Sequence, residues 1–262
     1  MNACRRGSPD ANSPEPQGSF EKILYTEYWK ATFGQVHRKK LSELIKASAS
    51  FPPESLILDL GCGDGIVSVA LAQASGTTVI GMDLSPVLLK AACQKIEHVI
   101  LCDLEGKIPL RDNTVDGVIC SDIVEHIADV DNLLKESYSV LKNGGMLIMS
   151  VPNLASIFDR IALLLGFQPF QLEVSRFGKF GDIRGWKRPV VGHIRGFTLR
   201  AIKQLLEYHG FSVKSVKGTC GASEGFIRLM DKLIEHFPSI ASELVIIATK
   251  SDKKPQLEDD IG

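Results

Sequence analysis

The chain of 262 residues carries almost no net charge, −1 with histidines neutral. That excludes a global electrostatic pull toward nucleic acid or anionic membranes and leaves only local bias to consider. Long hydrophobic runs are missing too. The longest strongly apolar stretch, IALLLGF at Ile161 to Phe167, falls far short of the roughly 20 residues a membrane-spanning helix needs. No basic-then-apolar leader opens the sequence, and none of the six cysteines (Cys4, Cys62, Cys93, Cys102, Cys120, Cys220) stands in a C-x-x-C pair. Several of those thiols lie in apolar strand-like runs, where cysteine behaves as a small hydrophobe, a usage that suits a reducing compartment. The expectation is a soluble, cytoplasmic protein without a transmembrane segment.

What is present is an ordinary core-forming composition, 44% hydrophobic and 23% charged, arranged in an alternating pattern. Residues 1–19 are rich in Pro, Ser and Asn without a hydrophobic period and are expected to be a disordered tail. The tail 251–262 reads as flexible in the same way. Between them, 20–250 form one domain. Apolar runs at 56–60, 78–83, 98–103, 114–122 and 146–152 are expected strands, separated by segments of helical spacing. Ser85 caps one such helix, with Pro86 in its first turn. After Pro152 the rhythm breaks. A segment at 153–197 is expected to be a substrate lid, because long loops in compact domains are usually functional. A helix (198–210), a strand (211–217), the expected helix EGFIRLMDKLIEHF and a last strand (243–250) follow. Near-continuous apolar strands alternating with helices predict an α/β, doubly wound, Rossmann-like sheet of seven mostly parallel strands, closed by an antiparallel C-terminal hairpin.

The first strand runs into LDLGCGDG. A dinucleotide fingerprint needs glycines at the first, third and sixth positions; here Gly61, Gly63 and Gly65 occupy the first, third and fifth, with Ile66 sixth. Asp59 and Asp64 flank the turn and oppose a diphosphate, whereas a ligand with a cationic end is welcome. S-adenosyl-L-methionine carries a sulfonium and an ammonium and needs no phosphate site.

With LDLGCGDG, VIGMDLS, CDLEGKIPLRDNTVDGVICSDIVEHI and VLKNGGMLIMSVPN in order, the chain resembles the class I S-adenosylmethionine-dependent methyltransferases, in particular the small-molecule methylases of quinone biosynthesis. The resemblance is close over about Tyr25 to Val151 and looser over Gly192 to Val216. It implies a methyltransferase with S-adenosylmethionine as cofactor. Gly61 and Gly63, with Cys62 between them, admit the methionine part, and Asp59 binds its ammonium directly or through water. Asp83 takes both ribose hydroxyls, followed by Leu84. Asp103 meets the adenine amino group with Leu104 packed on the ring, and Ser121 lies along the methionine moiety. In the N-terminal cover YTEYWKATFGQVHRKK, Arg38 is implied near the cofactor carboxylate and Tyr28 at the sulfonium side. An aromatic pair of Tyr28 and Trp29, packing a helix on the sheet, is an equal reading.

Methyl transfer needs alignment above all, and a base only where the acceptor loses a proton. His126 and His193 are the candidate catalytic residues, each open to a second reading as a structural histidine. No metal is expected: Asp122, Glu125 and His126 cluster, but no second set of ligands is visible. The segment Arg176 to Lys203 carries eight basic residues (Arg176, Lys179, Arg184, Lys187, Arg188, Arg195, Arg200, Lys203) against one acid, Asp182. It reads either as a solvated face or as a collector of an anionic acceptor, and the apolar IFDRIALLLGFQPF upstream extends this to a lipid-linked one. A nucleic-acid acceptor is disfavoured, since the Asn-Pro-Pro-aromatic signature is replaced by CSDIVEH. The alternatives are a silent methyltransferase-like binding protein and an NAD-dependent oxidoreductase.

Overall fold

In the computed structural model, residues 35–220, 234 and 236–251 are described, with side chains from residue 39 onward. The expected helix at 224–237 lies almost wholly outside the described residues, as do Tyr28 and both tails.

The first helix, α1 (Gln35–Ser48), precedes a repeating alternation. It runs β1 (Leu56–Leu60), α2 (Ile66–Ser75), β2 (Thr78–Asp83), α3 (Pro86–Ala92), β3 (His98–Leu101), β4 (Val115–Ser121), α4 (Val130–Val140) and β5 (Leu141–Pro152). Then come α5 (Ile157–Leu164), α6 (Leu199–Tyr208), β6 (Phe211–Thr219) and β7 (Glu243–Lys250). The seven strands form one sheet in the order β3-β2-β1-β4-β5-β7-β6. All neighbours pair in parallel except β7, which runs antiparallel to both β5 and β6. The expected closing pair therefore exists, with β7 inserted between β5 and β6.

Burial explains why this alternation folds so. Along β1, Ile57 points to one face with Leu44 of α1 and Leu71 of α2, while Leu58 and Leu60 point to the other with Leu133 and Leu134 of α4 and Ile202 and Leu206 of α6. A strand covered on both faces must be apolar at successive positions, which the run LILDL supplies. Burying side chains of this size contributes about 1.5–3 kcal/mol each, so the two-sided cover dominates the stability of the sheet. No helix among the described residues is long and apolar enough to cross a membrane.

Two elements differ from the sequence expectation. The strand expected at 146–152 begins at Leu141, because Leu141 already pairs with Val115 and the chain passes Asn143-Gly144-Gly145 with a shift of register rather than a break. Gly144 takes φ +73°, the left-handed value that makes the irregularity cheap. In addition, α5 occupies the start of the expected lid, capped by Ser156, whose hydroxyl accepts from the Asp159 N–H at 3.0 Å. The Ser-x-x-Asp spacing was its sequence signal. The two ends of the 153–197 segment meet: Asn153 bridges Phe197, and the Leu154 N–H donates to the Phe197 carbonyl at 2.8 Å.

Candidate functional site

The order β3-β2-β1-β4-β5 reverses direction between β1 and β4, the place where open α/β sheets form a crevice at the carboxyl ends of their strands. The glycine turn follows β1 there, and the Ser121 to His126 stretch follows β4.

Gly61, Gly63 and Gly65 adopt φ of +71°, +56° and +79°, conformations that side chains rarely tolerate. A Cβ on Gly61 would also fall within the Ile123 side chain, so the turn and the end of β4 are in contact. The turn is tied to β2: the Gly63 N–H donates to Asp83 Oδ2 at 2.9 Å and the Ser85 N–H to Asp83 Oδ1 at 2.8 Å. An ionised carboxylate has about four acceptor positions, so two remain for a ligand. Beside Asp83, Leu84 is 65% exposed and Leu101, paired with Asp83 at the end of β3, 61%, an exposed apolar strip at the strand ends. Asp103 is exposed and its Oδ1 accepts from the Glu105 N–H at 3.0 Å.

Other expected cofactor residues sit differently. Leu104 is buried in the main core, so its side chain is turned from the strip that Leu84 and Leu101 form. Cys62 is buried against Gly81, its N–H given to the Met82 carbonyl at 2.9 Å; burial first, then the nearby aspartates, pushes its thiol well above the usual range. Asp59 is buried and accepts from the Ser68 hydroxyl at 2.5 Å; burial raises its carboxyl to about 7 against the lowering effect of that bond. Asp64 pairs with Lys95 at 2.9 Å. The two acids of the charge argument are thus engaged within the protein, and it is the glycine spacing and the antiparallel β7 inserted between β5 and β6 that separate this fold from a dinucleotide-binding one. Ser121 shares a hydroxyl contact of 3.0 Å with Ser150. Arg38 lies in α1, with its side chain outside the described residues.

Past β4, Asp122 takes a left-handed backbone (φ +54°) and is held by Ser150, whose hydroxyl donates to Asp122 Oδ1 at 2.9 Å. Lys40, reaching in from α1, hydrogen-bonds Asp122 and approaches Glu243 of β7 at 3.6 Å. Burial raises the Glu243 carboxyl to about 7 despite that lysine. The neighbouring Glu125 is only 1% exposed, and burial, then Asp122, pushes its carboxyl well above the carboxylate range.

His126 and His193, expected separately, are brought together with ring centroids 4.9 Å apart. The segment 153–197 does this. Glu173 accepts from the Val191 and Gly192 N–H groups at 2.7 and 2.8 Å, and the main-chain carbonyl of Glu125 accepts from Ile194 and Arg195 at 2.9 and 3.2 Å. Burial, then His126, lowers His193 to about 4, so its imidazole is neutral near pH 7. Lys40 and Glu243 were missed by the sequence reading. The charged residue opening the otherwise apolar strand ELVIIATK was the available signal for Glu243.

The basic segment is less free than its composition suggests. Arg184 pairs with Asp182 at 2.8 Å, Lys179 with Glu173 at 3.1 Å, and Arg195 donates to the Ile127 carbonyl at 3.0 Å. Arg176, Lys187, Arg188, Arg200 and Lys203 are not buried. An open groove of about 640 Å³ lined by Arg160, Arg200, Lys203 and Glu207 shares no residue with the glycine turn or the histidine pair.

A seven-stranded sheet of this order, with a glycine turn latched to an aspartate at the end of β2, defines the class I methyltransferase fold. The comparisons agree. Residues 58–149 match a family model described as the methyltransferase domain. The 18S rRNA (guanine-N(7))-methyltransferase bud23 of Schizosaccharomyces pombe is 35% identical over 109 residues, covering 36% of this chain and 40% of its own. The mitochondrial ubiquinone biosynthesis O-methyltransferase of Homo sapiens is 28% identical over 171 residues, covering 62% and 42%. The chain thus spans about two fifths of the length of these curated relatives. Among solved structures, a SAM-dependent methyltransferase from Archaeoglobus fulgidus superposes with a TM-score of 0.60 at 24% identity, covering 86% of this chain and 99% of that one.

Proposed function

We propose that this protein transfers the methyl group of S-adenosylmethionine to a small-molecule acceptor held between the end of β4 and the 153–197 segment. The observation that carries the reading is the Asp83 carboxylate, latched to Gly63 at the point where the sheet reverses, with acceptor positions to spare beside an exposed apolar strip. When bound, the cofactor supplies a methyl carbon made electrophilic by its sulfonium. Asp83 holds the ribose hydroxyls, the 61–65 turn admits the methionine part close to the main chain, and Leu84 and Leu101 cover the adenine. The chain's own task is then to align an acceptor and exclude water, the larger part of the rate for an in-line displacement. His126, His193 and Glu125 face that acceptor, and Asp122 and Lys40 brace the loop that carries them.

The 153–197 segment exposes Leu164 (84%) and Phe177 (79%) along with Trp186, which supports an acceptor with an apolar or lipid-linked part. With Lys179, Arg184 and Arg195 engaged internally, an anionic group would be met by Lys187 and Arg188. The protein is read as cytoplasmic, on the thiols of Cys62, Cys93, Cys102 and Cys120. A second reading, an RNA acceptor, draws on the activity named for the fission-yeast relative.

The test is turnover to S-adenosylhomocysteine across small-molecule acceptors and rRNA fragments, in the parent and in His193→Ala. Turnover with a small acceptor, lost in the variant while cofactor affinity stays, supports the proposal. Turnover on rRNA alone replaces it with the second reading, and cofactor binding without turnover on either class leaves a silent binding protein.

A further inference from the structure

The open groove of about 640 Å³ beside α6 gathers positive charge that the protein itself does not neutralise. Arg200 and Lys203 line it from α6 and Arg160 from α5, and among the described residues none of the three pairs with an acid. The internal pairs that quieten the neighbouring basic segment, Arg184 with Asp182 and Lys179 with Glu173, have no counterpart here. A cleft lined by one sign of charge concentrates ions of the other.

Arg160 is fixed in advance. Its Nε donates to the Ala155 carbonyl at 2.8 Å and its Nη2 to the Ser239 carbonyl at 3.3 Å. A guanidinium carries its N–H groups in a rigid fork, so others stay free on a side chain whose freedom is already lost, a condition that favours capture of an oxyanion. The Leu154 N–H bond to the Phe197 carbonyl brings Ala155 beside Thr198, and with it Arg160 to the end of the groove where α6 begins. Arg200 and Lys203 stand in the first turns of that helix. Glu207 lies about 10 Å further along it, with Gln204 between. The groove thus has a cationic end and an end that accepts hydrogen bonds from hydroxyls. Its volume is that of a small-molecule cleft. None of its lining residues is aromatic, so a nucleobase finds no stacking partner there.

We propose that this groove binds a small phosphorylated sugar or polyol, its phosphate on Arg160, Arg200 and Lys203 and its hydroxyls toward Gln204 and Glu207, as a ligand separate from the cofactor and the methyl acceptor. The groove's place in the fold gives that ligand a task. Ala155 and Thr198 adjoin the contact that joins the two ends of the 153–197 segment. A phosphate held by Arg160 on one side and by Arg200 and Lys203 on the other spans this junction and ties the two ends together. The same segment carries His193 to within 4.9 Å of His126, ring centre to ring centre, so a steadier junction is a steadier histidine pair. The ligand acts as an effector that raises turnover without touching the reacting atoms. Its binding stands independently of the methyltransferase reading, while its effect on turnover rests on that reading.

The experiment is calorimetric titration of the full chain with ribose 5-phosphate, glycerol 3-phosphate, inorganic phosphate, unphosphorylated ribose and oligouridylate. It is run on the parent, on Arg200→Gln/Lys203→Gln, and on Lys214→Gln/Lys217→Gln, which removes the same charge from exposed positions of β6. None of these four lysines and arginines is buried, so both variants keep the core. Hydrogen exchange at the Leu154 amide is followed with and without ribose 5-phosphate, and S-adenosylhomocysteine is titrated separately. The expected result is one phosphorylated polyol per parent chain, ribose silent and inorganic phosphate weaker, with affinity falling more than about tenfold in the α6 variant alone and slower exchange at Leu154. A parent that binds none of the phosphate probes overturns the site, and so does an equal loss in the β6 variant, which makes the binding a property of net charge. Binding of oligouridylate without either phosphorylated polyol overturns the small ligand in favour of an RNA backbone. Unchanged exchange at Leu154 overturns the effector role. Binding of ribose 5-phosphate without S-adenosylhomocysteine keeps the groove and removes the methyltransferase reading.

Discussion

Replacing Asp83 by asparagine separates the two tasks assigned to its carboxylate. Within the fold, it accepts from the Gly63 and Ser85 N–H groups, one on each oxygen. Asparagine offers one acceptor oxygen and an amide that only donates, so one of those two N–H groups loses its partner. A hydrogen bond to a charged group contributes about 1.5–3 kcal/mol, and at this half-buried position the lower end applies. A loss of about 1.5 kcal/mol corresponds to a fall in Tm of roughly 3–6 °C for a domain of this size. Toward the cofactor the loss is larger in effect, since both ribose hydroxyls share the acceptor that is changed. At about 1.5–3 kcal/mol, the Kd for S-adenosylhomocysteine rises on the order of 10- to 150-fold. Calorimetry and thermal unfolding on the same samples read both numbers. A lowered Tm with a Kd within twofold of the parent would refute the ribose assignment and leave Asp83 as a strut of the turn.

Gly61→Ala is expected to cost about 1–3 kcal/mol for the left-handed backbone alone, and more for the collision with Ile123. Adding Ile123→Ala should return the collision part but not the backbone part, so urea denaturation of both single variants and the double should be non-additive. Lys40→Ala leaves Glu243 buried without its cation, for a loss of roughly 3–5 kcal/mol at pH 8. Because Glu243 sits near pKa 7 even beside the lysine, it is protonated at pH 5.5 and the loss there should be smaller; equal losses at both pH values would sink the ion-pair account. Asp59→Asn keeps the Ser68 bond and removes a buried charge. The folded-state pKa, about 7, lies above the ordinary 3.8, so the parent's stability from this group is whole below about pH 4 and is lost as pH rises through 7. The variant's Tm should therefore exceed the parent's by several degrees at pH 8, with the gap closing toward pH 4. A gap that widens on acidification contradicts the buried-acid assignment.

Local chemistry made much of this protein legible in its sequence. Strands covered on both faces must be apolar without interruption, so LILDL, TVIGMD and ELVIIATK announce themselves and the alternating fold follows. Ser85, Pro86 and the alternate glycines act on their own backbone or that of the next few residues, which is why the helix cap and the glycine turn were readable one residue at a time. Side-chain partnerships across the chain were not. Leu141 joins β5 because Val115 is there to pair with it, and the +7 excess of the basic segment shrinks once Lys179 finds Glu173, which lies before the segment. Above all, the sequence offers Glu125 and His126 side by side and singles out His193 separately, but it does not show that the three meet; His193 reaches the other two because the two ends of the 153–197 segment come together and Glu173 clamps the turn before it. Backbone preference is set by neighbours in sequence, whereas a site made of charges and lone pairs is set by neighbours in space, and those the tertiary structure alone decides.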